Sequence, residues 1–231
     1  MILFIIFHMI RQYDILFFQD ENRPPDMSRS PFSGVILAGG MNTRFSGRNK
    51  AFLRVGGRPI IERALEAFSG LFDDIVIVAG DPLEYLEYDC HIVTDIFPVR
   101  SSLTGVHAGL FYAKNPHVFF SACDTPFIRK EVIELILDRV DPGADAVIPE
   151  TPGGMETLCA VYSKRCLNAV EERLRQKRFK VLDVFRKRRV KKVPEKALRR
   201  ADPGLISFVN INSPDDLERI DKTVRIDQAA F

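Results

Sequence analysis

Two short runs in this chain carry residue types that suit a polyphosphate. The first is Gly39-Gly40, which ends an apolar stretch and is followed within ten residues by Arg44 and Lys50. Glycines let backbone N–H groups reach phosphate oxygens with no Cβ in the way, and the two cations neutralise charge that backbone dipoles cannot. The second run, Cys123-Asp124-Thr125-Pro126-Phe127, supplies a carboxylate of the kind that holds Mg²⁺ beside phosphates. Two phosphate loops of known mechanics are absent. No G-x-G-x-x-G follows the first apolar stretch, and Lys50 is followed by Ala51 rather than Ser or Thr, which excludes the P-loop pattern. Each piece also has a plainer reading: Gly39-Gly40 as a strand-to-loop turn, Asp124 as a helix N-cap, Asp95 as a solvated loop acid.

The elements that must position these residues are legible from periodicity. Apolar runs at 35–38, 74–79, 91–94, 117–122, 145–148, 158–162 and 207–211 read as strands. Helical spacing follows Pro59 up to Gly70, recurs at 103–113, 130–140 and 164–176, and starts again at Ser213 with Pro214, Asp215 and Asp216 in the first turn. A short helix is expected near 83–88. Gly105 and Gly109 inside the 103–113 helix imply close packing or a nearby phosphate. Strand–helix alternation predicts an α/β fold, a doubly wound, mostly parallel sheet in a single domain. In such sheets ligands sit outside the carboxyl ends of the strands. Gly39, Gly80, Asp95 and Asp124 all fall at such ends.

The bulk numbers constrain the rest. The chain has 231 residues, 46% hydrophobic, enough for one substantial core. A net charge of +2 gives no global field for nucleic acid. The charge is uneven, however: residues 164–200 hold 16 Lys/Arg against 4 Asp/Glu, so that segment is either a solvated face or a seat for an anion. Four cysteines form no C-x-x-C pair, and four histidines are scattered, so neither a zinc site nor a disulfide framework is expected. Buried thiols and a reducing compartment, the cytoplasm, follow. Residues 1–18 are apolar but broken by Arg11, Gln12 and Asp14, too short a run to span a bilayer and without a cleavage site. Residues 1–32 are expected to be an extension, disordered or arising from a start assigned upstream of Met27, with the folded domain at 33–231.

The loop Leu37-Ala38-Gly39-Gly40-Met41-Asn42-Thr43-Arg44, continuing to Lys50, resembles the signature L-A-G-G-x-S-x-R-M-G-x-x-K of nucleotidyltransferases. Together with Cys-Asp-Thr-Pro-Phe and with Phe208-Val209-Asn210-Ile211-Asn212-Ser213-Pro214, it is similar to the molybdenum cofactor guanylyltransferases, over residues 34–221. The resemblance implies a Rossmann-like nucleotidyltransferase fold, and transfer of GMP from GTP to molybdenum-loaded molybdopterin with Mg²⁺. It assigns nucleotide contacts to Leu37, Ala38, Gly39, Gly40, Lys50, Asp95 and Asp124, catalysis to Lys50, Arg44 and Asp124, and Mg²⁺ to Asp124. Asn210 and Asn212 would face the pterin, with Arg178 and Lys180 as further candidates for its phosphate. A molybdoenzyme or its chaperone is the expected protein partner, with no nucleic acid and no membrane. This sequence departs from the pattern in places: one extra residue separates Arg44 from Lys50, Ser101-Ser102 stands where Gly-Pro is common, and the Asn after the second strand has no match in Val78-Ala79-Gly80-Asp81. The rivals are a cytidylyltransferase on the same pterin, a sugar-phosphate nucleotidyltransferase, and a catalytically idle nucleotide-binding chaperone for cofactor insertion.

Overall fold

Apolar strands that must be covered on both sides force helices onto both faces of a sheet. A computed structural model describes residues 32–39, 45 and 49–229, with side chains described as far as 221. Along the chain come β1 (Phe32–Ala38), β2 (Arg54–Val55), β3 (Arg58–Pro59), α1 (Ile60–Phe68), β4 (Asp74–Ala79), β5 (His91–Val93), α2 (Ser102–Tyr112), β6 (His117–Ala122) and α3 (Lys130–Leu137). Then follow β7 (Ala146–Thr151), β8 (Gly154–Met155), β9 (Cys159–Ser163), α4 (Leu167–Arg175), β10 (Val190–Pro194), α5 (Glu195–Ala201) and α6 (Pro214–Ala229).

The main sheet runs β10-β7-β9-β6-β1-β4-β5, with β8 paired to the end of β7. Strands β6, β1, β4 and β5 are mutually parallel, and β9 runs antiparallel to both β6 and β7. The expected mostly parallel, doubly wound α/β sheet is thus observed. Alternate side chains of each central strand enter opposite cores, as the period of two demands. Ile36, Ile77 and Phe119 join α1, α3 and α5 on one face. Val35, Val76 and Phe120 join α2 and α4 on the other. Gly109 of α2 permits this approach, because a Cβ there would stand 2.5 Å from the Phe120 ring and 2.8 Å from Val35. Packing against β1 and β6, rather than a phosphate, accounts for that glycine.

Local chemistry sets the boundaries. Pro59 is not the first helical residue; it ends β3 and stands before Ile60, and buried Ile60, Ile61, Ala64 and Phe68 make one face of α1. Gly70, at φ 75°, takes the left-handed turn beyond it. The short helix expected near 83–88 is a 3-10 turn over Pro82–Tyr85, capped by Asp81 Oδ1 accepting from Leu83 N–H at 3.0 Å. Ser101 caps α2, its Oγ accepting from Thr104 N–H at 3.1 Å.

Two expectations fail. Residues 207–211 do not form a strand: a 3-10 turn spans Ile206–Phe208, and among the described residues Val209 to Asn212 have no partner strand. Ile211 instead donates its N–H to the Asp124 carbonyl at 2.8 Å. Conversely β10 lies inside the basic segment, where Lys191 and Lys192 hide its alternation. It pairs in parallel with β7 at the edge of the sheet. Lysines on an edge strand discourage pairing with another chain, and these two also bridge to Asp141 and Glu150. Among the described residues the four cysteines are free and three are buried, and no helix is long and apolar enough to cross a membrane.

Candidate active site

Parallel pairing brings three strand ends together. Ala38 lies beside Ala79, and Leu37 beside Ala122. The ladder runs one residue further, Cys123 N–H donating to the Leu37 carbonyl at 3.1 Å. Asp124 therefore emerges next to Gly39, and Gly39 next to Gly80, whose nitrogen is 3.8 Å from where a Gly39 Cβ would sit. Gly39 is exposed and has room for that Cβ. Among the described residues nothing around it demands a glycine. Asp95 follows β5, exposed, two strands from β1. At about 4.8 Å per strand that is about 10 Å across the edge, the reach of a nucleoside lying over β4.

Lys50 opens a 3-10 turn over Lys50–Phe52. Its ammonium donates to the Ile211 carbonyl at 3.0 Å and lies 5.4 Å from the Phe45 ring centroid. The Ile211 N–H, in the preceding peptide, reaches the Asp124 main-chain carbonyl. One residue of the C-terminal segment thus ties the lysine after the glycine loop to the aspartate after β6. Burial raises the Asp124 pKa above the ordinary carboxylate range, and the nearby Lys50 charge opposes the shift. Asn210 and Asn212 flank Ile211, both exposed on this extended segment. The α6 N-terminus fixes the segment: Asp216 Oδ2 accepts from Asn212 N–H, Ser213 N–H and the Ser213 hydroxyl, while Ser213 Oγ accepts from Asp216 N–H.

Of the residues expected at the site, Leu37, Ala38, Gly39, Lys50, Asp124, Asn210 and Asn212 gather at one sheet edge, with Asp95 further along it. Gly40 and Arg44 lie outside the described residues, as do residues 1–31. Arg178 and Lys180 stand apart. They line an open cavity of about 440 Å³ after α4, together with Arg173, Phe179, Asp183 and Arg186. No residue around Asp124 belongs to it. Its rim begins with a helix stop of a strained kind. Lys177 adopts a left-handed φ of 56° while Arg178 N–H donates to the Arg173 carbonyl at 2.9 Å. Two contributors escaped the sequence reading: Asn49, which caps the Lys50 turn, and Tyr85, buried beneath it. A polar residue ahead of a lysine at a loop-to-turn junction is the only local signal for the first.

The arrangement can hold a polyphosphate against backbone amides, with a cation on one side and a carboxylate on the other. Known proteins resemble this chain in sequence and in fold. The model of the MobA-like NTP transferase domain matches residues 34–192. A molybdenum cofactor guanylyltransferase of Desulfosudis oleivorans is 46% identical over 193 residues, covering 84% of this chain and 96% of that protein. A solved structure of molybdopterin-guanine dinucleotide biosynthesis protein A from Archaeoglobus fulgidus superposes with a TM-score of 0.73 at 30% identity, covering 84% of this chain and 99% of that one. A 2-C-methyl-D-erythritol 4-phosphate cytidylyltransferase from Thermus thermophilus has a TM-score of 0.62 at 19% identity over 84% of this chain and 98% of its own, a likeness of fold alone. With the family model spanning most of the globular part and a relative this similar over nearly its whole length, the chain belongs to the MobA-like NTP transferases.

Proposed function

We propose that this nucleotidyltransferase moves GMP from GTP to the terminal phosphate of molybdenum-loaded molybdopterin, releasing pyrophosphate. The observation that carries the reading is that Ile211 holds both the Lys50 ammonium and the Asp124 main-chain carbonyl beside the Gly39 strand end. The similarity to a guanylyltransferase at 46% identity supports the choice of nucleotide and acceptor.

In this reading an oxygen of the acceptor phosphate attacks the α-phosphorus. The bond from that phosphorus to the bridging oxygen breaks, and its electron pair leaves with pyrophosphate. The nucleophile is already ionised at neutral pH, so no general base is needed. The barrier is the meeting of two anions, which fixed charges and dipoles reduce. Lys50 would neutralise the triphosphate, and Arg44 the departing pyrophosphate. Backbone N–H groups at Gly39 and Gly40 would meet phosphate oxygens, and Asp95 the nucleoside.

Asp124 suits a magnesium ion. Its carboxylate is half-buried, and burial lifts its pKa, a cost that a bound cation relieves. One carboxylate plus substrate phosphates is an ordinary Mg²⁺ arrangement. Among the described residues no cluster of three or more His, Cys, Asp or Glu competes for the ion. When bound, the ion supplies positive charge to the phosphate oxygens. Asn210 and Asn212 would orient the pterin, whereas Arg178 and Lys180 line a separate basic cavity and have no part in holding the attacking phosphate.

Pyrophosphate release tests the proposal, with GTP, CTP and ATP in turn, with Mg²⁺, and with or without molybdopterin. Release with GTP only when the acceptor is present is the expected result. A preference for CTP, or no release with GTP, overturns it. Lys50→Ala and Asp124→Ala should each lower turnover by about 10²–10³ while circular dichroism stays unchanged.

A further inference from the structure

Asn49 uses every hydrogen-bonding group of its side-chain amide. One amide proton goes to Glu84 Oε2 at 2.7 Å, and the amide nitrogen also reaches the Tyr85 hydroxyl at 2.8 Å. Its oxygen accepts from Ala51 N–H at 3.1 Å, capping the turn that Lys50 begins. Tyr85 is fully buried, and its hydroxyl faces the Ala38 carbonyl at 3.5 Å. The Phe52 ring packs on the Tyr85 ring, with centroids 5.0 Å apart. The residue before Lys50 is therefore bolted to the segment that follows β4 and, through Tyr85, to the end of β1. Lys50 itself is held on the opposite side by Ile211.

Glu84 and Tyr85 are 35 and 36 residues away in sequence. A cap alone needs only an oxygen, as serine would supply. The two donated bonds add nothing to capping. What they do is fix where the turn stands relative to the strand ends. A long, flexible lysine loses most of its advantage if its stem wanders, because a shift of about 1 Å can cost about 10²-fold in rate.

We infer that Asn49 is a positioning residue: its amide, anchored on Tyr85 and Glu84, sets the Lys50 stem against the strand ends so that the ammonium is in place before nucleotide arrives. The inference rests on the reading of Lys50 as a phosphate contact. Asn49→Ser separates the two roles, keeping the cap and losing the tether. Tyr85→Phe removes one anchor, and Glu84→Gln keeps an acceptor for the other.

The experiment measures affinity for Mg²⁺-GTP by calorimetry, together with kcat and KM for pyrophosphate release, in the full chain. Asn49→Ser should weaken nucleotide binding about tenfold or more and lower kcat, with melting temperature little changed. Glu84→Gln should restore most of what Glu84→Ala loses. In the Lys50→Ala background, Asn49→Ser should cost no further affinity, since both changes act through one group. Wild-type affinity and kcat in both Asn49→Ser and Tyr85→Phe overturn the inference, as does an additive loss in the double variant. If Lys50→Ala itself keeps wild-type affinity and turnover, the functional reading fails instead, so the two failures are distinguishable.

Discussion

Burying a carboxylate costs free energy that a nearby positive charge offsets. Asp124 is half-buried and its pKa is raised by that burial, with Lys50 offsetting part of the shift. A folded-state value above the unfolded one means that folding favours the protonated acid. The fold therefore loses stability as pH rises from the ordinary carboxylate range through the raised value. Asp124→Asn should remove that pH-dependent loss. We expect its melting temperature to match or exceed wild type at pH 7, and the advantage to vanish near pH 4. Turnover should meanwhile fall by about 10²–10³. Thermal melts of both proteins across pH, run beside the pyrophosphate assay, check the two halves separately. Asn210 and Asn212 flank Ile211, which is pinned between the Asp124 carbonyl and the Lys50 ammonium.

At the scale of elements, α2 and α4 show how packing and turns limit what can change. The Cβ that Gly109→Ala would add stands 2.5 Å from Phe120, closer than real contacts allow. Over-packing of this kind typically costs about 1–3 kcal/mol, readable in a urea titration, and the strand ends carrying Asp124 and Gly39 should shift with it. The α4 stop has the opposite lesson. Lys177 holds a left-handed conformation that a glycine adopts without strain. Lys177→Gly should stabilise the fold by up to about 1 kcal/mol, measured in the same titration. The edge strand β10 explains part of the basic segment structurally. Lys191 and Lys192 are paired with acids, whereas Arg178 and Lys180 line the open cavity.

For the whole molecule, a ligand that binds only the folded state adds stability by mass action. Mg²⁺-GTP at about 100 times its Kd should add about 2.7 kcal/mol. For a chain of this length that is about 5–10 °C in melting temperature. A thermal-shift series with GTP, ATP and CTP, each with magnesium, should rank GTP first. Equal shifts for all three would argue against guanine selectivity. Whole-molecule topology also gathers the candidate site at one edge of the sheet. The parallel strands β6, β1, β4 and β5 end on the same side, so their loops face one another.

The sequence by itself determined what is local. The runs at 74–79 and 117–122 are strands with the expected bounds, because short, predominantly apolar, β-branched or aromatic stretches closed by Gly-Asp-Pro and Cys-Asp are too short for a buried helix. It also determined that Gly39, Asp95 and Asp124 stand at strand ends, and that Ser213-Pro214 opens a helix. What depends on partners far along the chain was decided only by the tertiary structure. Val209 and Ile211 alternate like a strand, yet among the described residues no strand pairs with them, and Ile211 instead spans the Asp124 carbonyl and Lys50. The reversed direction of β9, the strand hidden among the lysines at 190–194 and the anchoring of Asn49 on Tyr85 are of the same kind. Periodicity reports which face of an element is apolar. It carries no record of which distant backbone group will meet that element, and at this site those distant meetings set the geometry.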